Sequence, residues 1–215
     1  MTMSRTSLTN CLIESLPVGR PNLFNPWIEN CPREVEVNAT AARRERLALH
    51  LDCNPDFMLV GEAPGYQGCR YSGIAFTSER LLKEGAIPRI PALAGRLSDR
   101  PLPFSEPSAT IVWSTLSGLG MADRTILWNA LQLHPHRQGN PWSNRTPTFE
   151  ELELGKPALH LLIEAFPDAR IIAVGKKAEF LLKKMELQVY ACVRHPAYGG
   201  ATEFDSGMKM LVGQN

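Results

Sequence analysis

Phe57-Met58-Leu59-Val60 is an unbroken apolar run that stops in Gly61-Glu62-Ala63-Pro64-Gly65. A run without polar alternation is buried on both faces, and one that ends in a glycine-bounded turn reads as a parallel strand whose following loop opens on a ligand crevice. Three later stretches repeat the pattern: Thr125–Leu131, Ala169–Gly175 and Gln188–Val193, each running into turn residues. Helical patterning lies between them, over Ala39–Leu51, Ala109–Gly118, Thr148–Phe166 behind Pro147, and about Lys176–Lys184. This alternation of strand, turn and helix predicts an α/β fold, a parallel sheet with helices on both faces and functional residues at the carboxyl ends of the strands.

At 215 residues the economical reading is a single domain over 1–215. Residues 1–38 carry Pro17, Pro21, Pro26 and Pro32 among the aromatic anchors Phe24 and Trp27, which argues for an irregular arm or short helices lying on the core. Residues 85–107 hold Pro88, Pro91, Pro101, Pro103 and Pro107, a surface excursion that could rim a cleft. No apolar run is long enough to span a bilayer and no signal-peptide core follows Met1, so the expected location is cytoplasmic, with no membrane partner. With 23 basic against 22 acidic residues, nucleic-acid binding would have to come from a local patch. The five cysteines, Cys11, Cys31, Cys53, Cys69 and Cys192, form no Cys-x-x-Cys pair, so neither disulfides nor a zinc site is expected, and no metal is assigned.

The loop after the first strand is not a phosphate loop: it lacks Gly-x-x-x-x-Gly-Lys-Ser/Thr, and Gly61, Gly65 and Gly68 are not spaced as Gly-x-Gly-x-x-Gly. It gathers instead the Glu62 carboxylate, several backbone N–H groups and the aromatic face of Phe76. Phe76-Thr77-Ser78-Glu79 then leads into a helix capped by Thr77 or Ser78. An asparagine inside an apolar strand is costly unless its amide is paired, so Asn129 either bonds neighbouring backbone or points its amide at a ligand. His195 follows the last strand directly. An aromatic face, an amide and an imidazole at three strand ends can stack a planar base, read its edge and stabilise charge on a leaving group.

The ordered set resembles the uracil-DNA glycosylase superfamily over roughly Phe57 to Gly200. Gly61-Glu62-Ala63-Pro64-Gly65 is similar to the first signature of its thermophilic bacterial and archaeal branches, and Gly73-Ile74-Ala75-Phe76-Thr77 to the step that follows it. His195-Pro196-Ala197-Tyr198 is similar to their second signature. Asn129 and Asn144-Arg145-Thr146-Pro147-Thr148 fall where those relatives place a base-reading asparagine and an Asn-Arg-x-Pro element. The resemblance implies a three-layer α/β/α fold with a central four-stranded parallel sheet. It also implies hydrolysis of the N-glycosidic bond of uracil, or a related deaminated base, flipped out of DNA. Carried over by position, Phe76 stacks on the base, Asn129 bonds its edge and His195 stabilises charge on the pyrimidine O2. Gly61, Glu62, Ala63, Gly65 and Tyr66 border the base or a phosphate, and bulk at Ala63, Tyr66 and Gln67 governs whether a 5-methyl group enters.

Two departures matter. The cysteines that bind an iron–sulfur cluster in those branches are missing, so no cofactor is expected. The water activator is also not obvious: Glu79 aligns with a later Asp of the cluster-free branch and is favoured for water, and Glu62 for pocket structure, although Glu79 is equally suited to helix-start capping. Tyr198 and Gly199 either wedge into the minor groove or pack, and Lys176, Lys177 and Arg194 are candidate phosphate contacts. With no lysine evident as a Schiff-base nucleophile in the pocket, the expected enzyme is a monomeric, monofunctional glycosylase. The alternatives are a non-catalytic module that binds DNA or a damaged base and, more distantly, an enzyme on free nucleosides or nucleotides.

Overall fold

The computed structural model describes residues 4–213. Its centre is a parallel sheet of β2 (Phe57–Gly61), β3 (Thr125–Asn129), β5 (Arg170–Val174) and β6 (Ala191–Val193), in the order β3-β2-β5-β6. The chain leaves β2 for β3 on one side and later returns to β5 on the other, so the sheet has a switch point between β2 and β5. Crevices form at the carboxyl ends of the strands flanking such a point. A separate antiparallel pair, β1 (Leu23–Phe24) and β4 (His134–Pro135), closes one flank.

The pleat divides the core in two. Met58, Val60, Ile126, Trp128, Ile171 and Ala173 point to one face and meet α1 (Arg5–Glu14), α2 (Ala39–Leu51), α7 (Lys156–Ala165) and α8 (Lys176–Lys184). Phe57, Leu59, Leu127, Ile172 and Val174 point to the other, against the short α3 (Cys69–Ser72) and α4 (Glu79–Lys83), then α5 (Pro107–Gly118) and α9 (Ala201–Val212). The three-layer α/β/α arrangement expected from the strand pattern is thus present. No helix among the described residues is long and apolar enough to cross a membrane.

Several local expectations change. Of the irregular arm or short helices open over residues 1–38, residues 5–14 take the helix, α1: the Ser4 hydroxyl accepts the Ser7 N–H at 3.2 Å and Leu8, Leu12 and Ile13 are buried, while the prolines begin only at Pro17. The helix expected over Thr148–Phe166 is two, α6 (Phe149–Glu153) and α7, because Pro157 has no N–H to continue the ladder and suits a helix's first turn. Thr148 caps α6 in a box with Glu151, and Glu151 also grips Arg145 at 2.6 Å. Ser78 is the residue before α4, but its hydroxyl makes no capping bond, and the Thr77 hydroxyl instead bonds Ala75 O and the Trp113 indole. Strand β6 is shorter than the apolar pattern from Gln188 suggests.

Candidate active site

At the carboxyl ends of the sheet opens a cleft of about 790 Å³. Glu62, Ala63, Pro64 and Gly65 reach it from the turn after β2, Asn129 from the end of β3, Gly175 to Lys177 from the turn after β5, and Arg194, His195, Ala197 and Tyr198 from beyond β6. Cys69, Phe76 and Glu106 line it on the α3–α5 side, and Glu179, Cys192 and Glu203 also border it.

The register pairs Gly61 with Asn129 at the last step of the β2–β3 ladder. Gly61 lets two side chains close over it: a Cβ there would lie 2.6 Å from Phe76 Cζ and 2.7 Å from Asn129 Oδ1. Phe76 itself sits at φ 49°, a conformation costly for a bulky residue and maintained here by burial on every other side. Asn129 is 5% exposed, its backbone carbonyl accepts from Gln132 Nε2 at 2.7 Å, and its side-chain amide has no hydrogen bond among the described residues. Of the two readings open in the sequence, backbone bonding is therefore not the one the amide adopts. A nearly buried, unpartnered amide on a cleft wall is suited to a ligand with matching donors and acceptors.

His195 stands across the cleft with its ring centroid 6.0 Å from that of Phe76. Its Nδ1 accepts the Ala197 N–H at 3.1 Å, so the neutral ring carries its proton on Nε2. Burial, and secondly the neighbouring Arg194, push its pKa below the ordinary histidine value, which keeps the ring neutral at physiological pH. The result is a fixed, uncharged N–H donor. Gly175, at φ 93°, allows this close packing, since a Cβ would meet the His195 Cβ at 3.1 Å.

The turn after β2 is buttressed from behind. Arg70 donates to His134 Nδ1 at 2.9 Å, leaving His134 Nε2 to donate to Asn144 Oδ1 at 3.2 Å, and the same oxygen accepts the Tyr66 N–H at 3.0 Å. Ala63 and Gly65 line the cleft, and among the described residues their N–H groups donate to no acceptor. Glu62 faces Lys177 at 3.5 Å, and Lys177 also donates to Thr146 Oγ1 at 2.9 Å. Tyr66, expected to border the base, instead sets its ring edge-on to Phe104, and neither it nor Gln67 lines the cleft, which leaves Ala63 as the wall from that group.

Glu79 is the clear displacement. It is fully buried away from the cleft, where its carboxylate accepts from Arg96 Nε at 2.6 Å, Ser98 Oγ at 2.7 Å and the N–H groups of Leu97 at 2.9 Å and Phe104 at 3.0 Å. Burial would raise its pKa, but these bonds outweigh it and hold the carboxyl below its ordinary value. Glu79 pins the proline-rich excursion to the core and cannot reach a substrate. Glu106 occupies the cleft wall instead. Nothing in the sequence marked it except its place as a carboxylate immediately before a proline-started helix.

The rim carries Lys176, Lys177 and Arg194, the last facing Glu203 at 3.4 Å. Both lysines expected as phosphate contacts thus border the cleft, close enough for an amine to reach a bound substrate. Tyr198 is 99% exposed at φ 53°, beside Gly199 at φ 78°, and contributes nothing to the core. The five cysteines are free thiols, and no group of three or more His, Cys, Asp or Glu among the described residues could hold a metal ion. These residues do not fit the iron–sulfur cluster of the branches resembled in sequence.

Residues 50–211 match the model of the Uracil DNA glycosylase superfamily. No curated protein matches the chain. Among solved structures, wild-type SMUG2 of Pedobacter heparinus is similar in fold, with a TM-score of 0.60 at 17% identity, over 95% of this chain and 97% of that one. The matched span contains the whole sheet and every strand end that lines the cleft, and the chain belongs to the Uracil DNA glycosylase superfamily.

Proposed function

We propose that the protein is a DNA glycosylase that hydrolyses the N-glycosidic bond of uracil, or a related deaminated base, flipped out of DNA, the first step of base excision repair. The observation that carries this reading is the trio at the strand ends: the unpartnered Asn129 amide, the Phe76 ring and the Nε2–H of His195 around one cleft. A flipped pyrimidine lies against Phe76, and its imide edge, one donor beside one acceptor, matches the Asn129 amide. As the C1′–N bond breaks, negative charge moves onto the base. The neutral His195 donates to the oxygen that receives it, a fixed dipole in a site partly shielded from water. The N–H groups of Ala63 and Gly65 are further donors to base or phosphate. Glu62, tied to Lys177, shapes the wall between the β2 and β5 turns.

Lys176, Lys177 and Arg194 serve as phosphate contacts, which makes binding salt-dependent. Tyr198, on an exposed tip beside the cleft, enters the stack vacated by the flipped base. The protein works as a monomer. A binding module without catalysis would use the same trio, and the two separate in an excision assay on uracil-, hypoxanthine- and xanthine-containing oligonucleotides. The enzyme forms abasic sites, and Asn129→Ala and His195→Ala lose turnover while retaining DNA binding. Intact binding with no excision of any base would leave the binding module.

A further inference from the structure

With Glu79 buried elsewhere, the cleft's carboxylates differ in one respect. Glu62 faces Lys177 at 3.5 Å, Glu179 faces Lys183 at 2.7 Å and Glu203 faces Arg194 at 3.4 Å. Glu106 lines the same cleft and, among the described residues, has no cation partner. Its Oε1 accepts the Ser108 hydroxyl at 3.0 Å, while Oε2 has no hydrogen-bond donor among the described residues. The carboxylate lies over Gly65 and Gly68, on the wall adjoining the Gly61–Gly65 turn, and only glycine at 68 leaves room for it. An ion-paired carboxylate is a weak base because its charge is already compensated; an uncompensated one near a reacting sugar is the stronger proton acceptor.

We propose that Glu106 orients the attacking water and accepts its proton, an inference that rests on the glycosylase reading above. The C1′–N bond breaks with its electron pair going to the base, and the water oxygen forms the new bond to C1′. The proton released by that water passes to Glu106, and the base anion, held at its oxygen by His195, takes a proton from solvent as it leaves. The environment agrees with this role: burial lifts the Glu106 pKa above the ordinary carboxylate value, partly countered by Ser108. The groups facing it do not compete. From α3 comes the Cys69 thiol, which burial keeps protonated, and from the turn before α6 the uncharged Asn144 amide. Across the cleft stand neutral His195, the paired Glu62–Lys177, Arg194–Glu203 and Glu179–Lys183, and Lys176, and none of these cations is within ion-pair distance of Glu106.

The test is single-turnover excision of uracil from an oligonucleotide between about pH 5 and 9, with DNA affinity and melting temperature measured beside it, for wild type, Glu106→Gln, Glu106→Asp and Ser108→Ala. Glu106→Gln is expected to keep DNA affinity within about threefold and lose about 10²–10³-fold in rate. Wild type shows an acid limb, its rate rising with pH to a plateau. Glu106→Gln abolishes that limb, Glu106→Asp keeps it at a lower plateau, and Ser108→Ala moves it to higher pH by removing a bond to the charged form. Wild-type rate in Glu106→Gln, or a slower Glu106→Gln with the limb unchanged, would overturn the assignment while leaving the glycosylase reading intact. If Glu106→Gln does not fold, the limb's position in Glu106→Asp and Ser108→Ala decides. A wild type inactive on every base removes the glycosylase reading and this inference with it.

Discussion

Gly61→Ala is the smallest change that tests whether the Phe76–Asn129 arrangement matters. Gly61 lies in the β2 strand, where the backbone suits alanine, so the perturbation is the added methyl and nothing else. That methyl would lie 2.6 Å from Phe76 Cζ, 2.9 Å from Phe76 Cε2 and 2.7 Å from Asn129 Oδ1. Carbon atoms pack at about 3.5–4.0 Å, so the ring or the amide must retreat by roughly 1 Å. Overpacking of this kind costs about 1–3 kcal/mol, a fall of several degrees in Tm for a chain of this size. A misplacement of about 1 Å in the reacting geometry costs on the order of 10²-fold in rate. Single-turnover excision and a thermal melt measure the two effects, with Gly118→Ala, whose added methyl meets nothing within 4 Å, as control. Gly61→Ala at wild-type rate, or with a lowered Tm and unchanged excision, would refute the reasoning.

Other substitutions and conditions give equally definite outcomes. Glu79→Gln removes the buried charge that binds Arg96, Leu97, Ser98 and Phe104, and should cost about 2–4 kcal/mol in a denaturant melt while the excision rate of the folded protein stays near wild type. His50 and His134 are fully buried, and burial followed by a neighbouring arginine, Arg89 or Arg70, pushes each pKa down to about 3, far below the roughly 6.5 of an unfolded chain. Between those values the unfolded state binds more protons, so stability is complete above about pH 6.5 and falls toward pH 3 by up to about 1.4 kcal/mol per pH unit for each ring. Denaturant melts at successive pH values should show that slope, and His50→Gln should reduce it. Tyr198→Ala, at a fully exposed tip, should leave Tm unchanged and slow excision more from duplex than from single strands, as competition between the two substrates would show.

Much of the fold was legible because the sheet is parallel and buried on both faces: β2, β3 and β5 are written around apolar runs at 57–60, 126–128 and 171–174. Helix α1 was open only as one of the short helices of the N-terminal arm and could not be positioned, since a polar ten-residue helix followed by four prolines shows no stripe until Leu8, Leu12 and Ile13 find their shared face. Asn129 and His195 could be located because position after a strand fixes position in space. Glu79 could not, because which way a residue at a helix start points is set by the loop that folds over it, here residues 96–104. Glu106 failed for the converse reason: it enters the cleft from the far side of a long excursion, and only packing against Gly65 and Gly68 brings it there. Lys176 and Lys177 could be placed by their position after β5, whereas the approach of Lys177 to Glu62 depends on the start of α8 lying beside the β2 turn.

The most direct test of the central claim is mass spectrometry of the products formed from a uracil-containing oligonucleotide in ¹⁸O-labelled water, with EDTA present. Hydrolysis at the cleft predicts free uracil and an unbroken strand carrying an abasic site with one ¹⁸O at C1′. A strand cleaved beside the lesion would contradict monofunctional hydrolysis and point to Lys176 or Lys177 as an amine nucleophile. A substrate recovered intact, for uracil and for the other deaminated bases, would contradict the account as a whole.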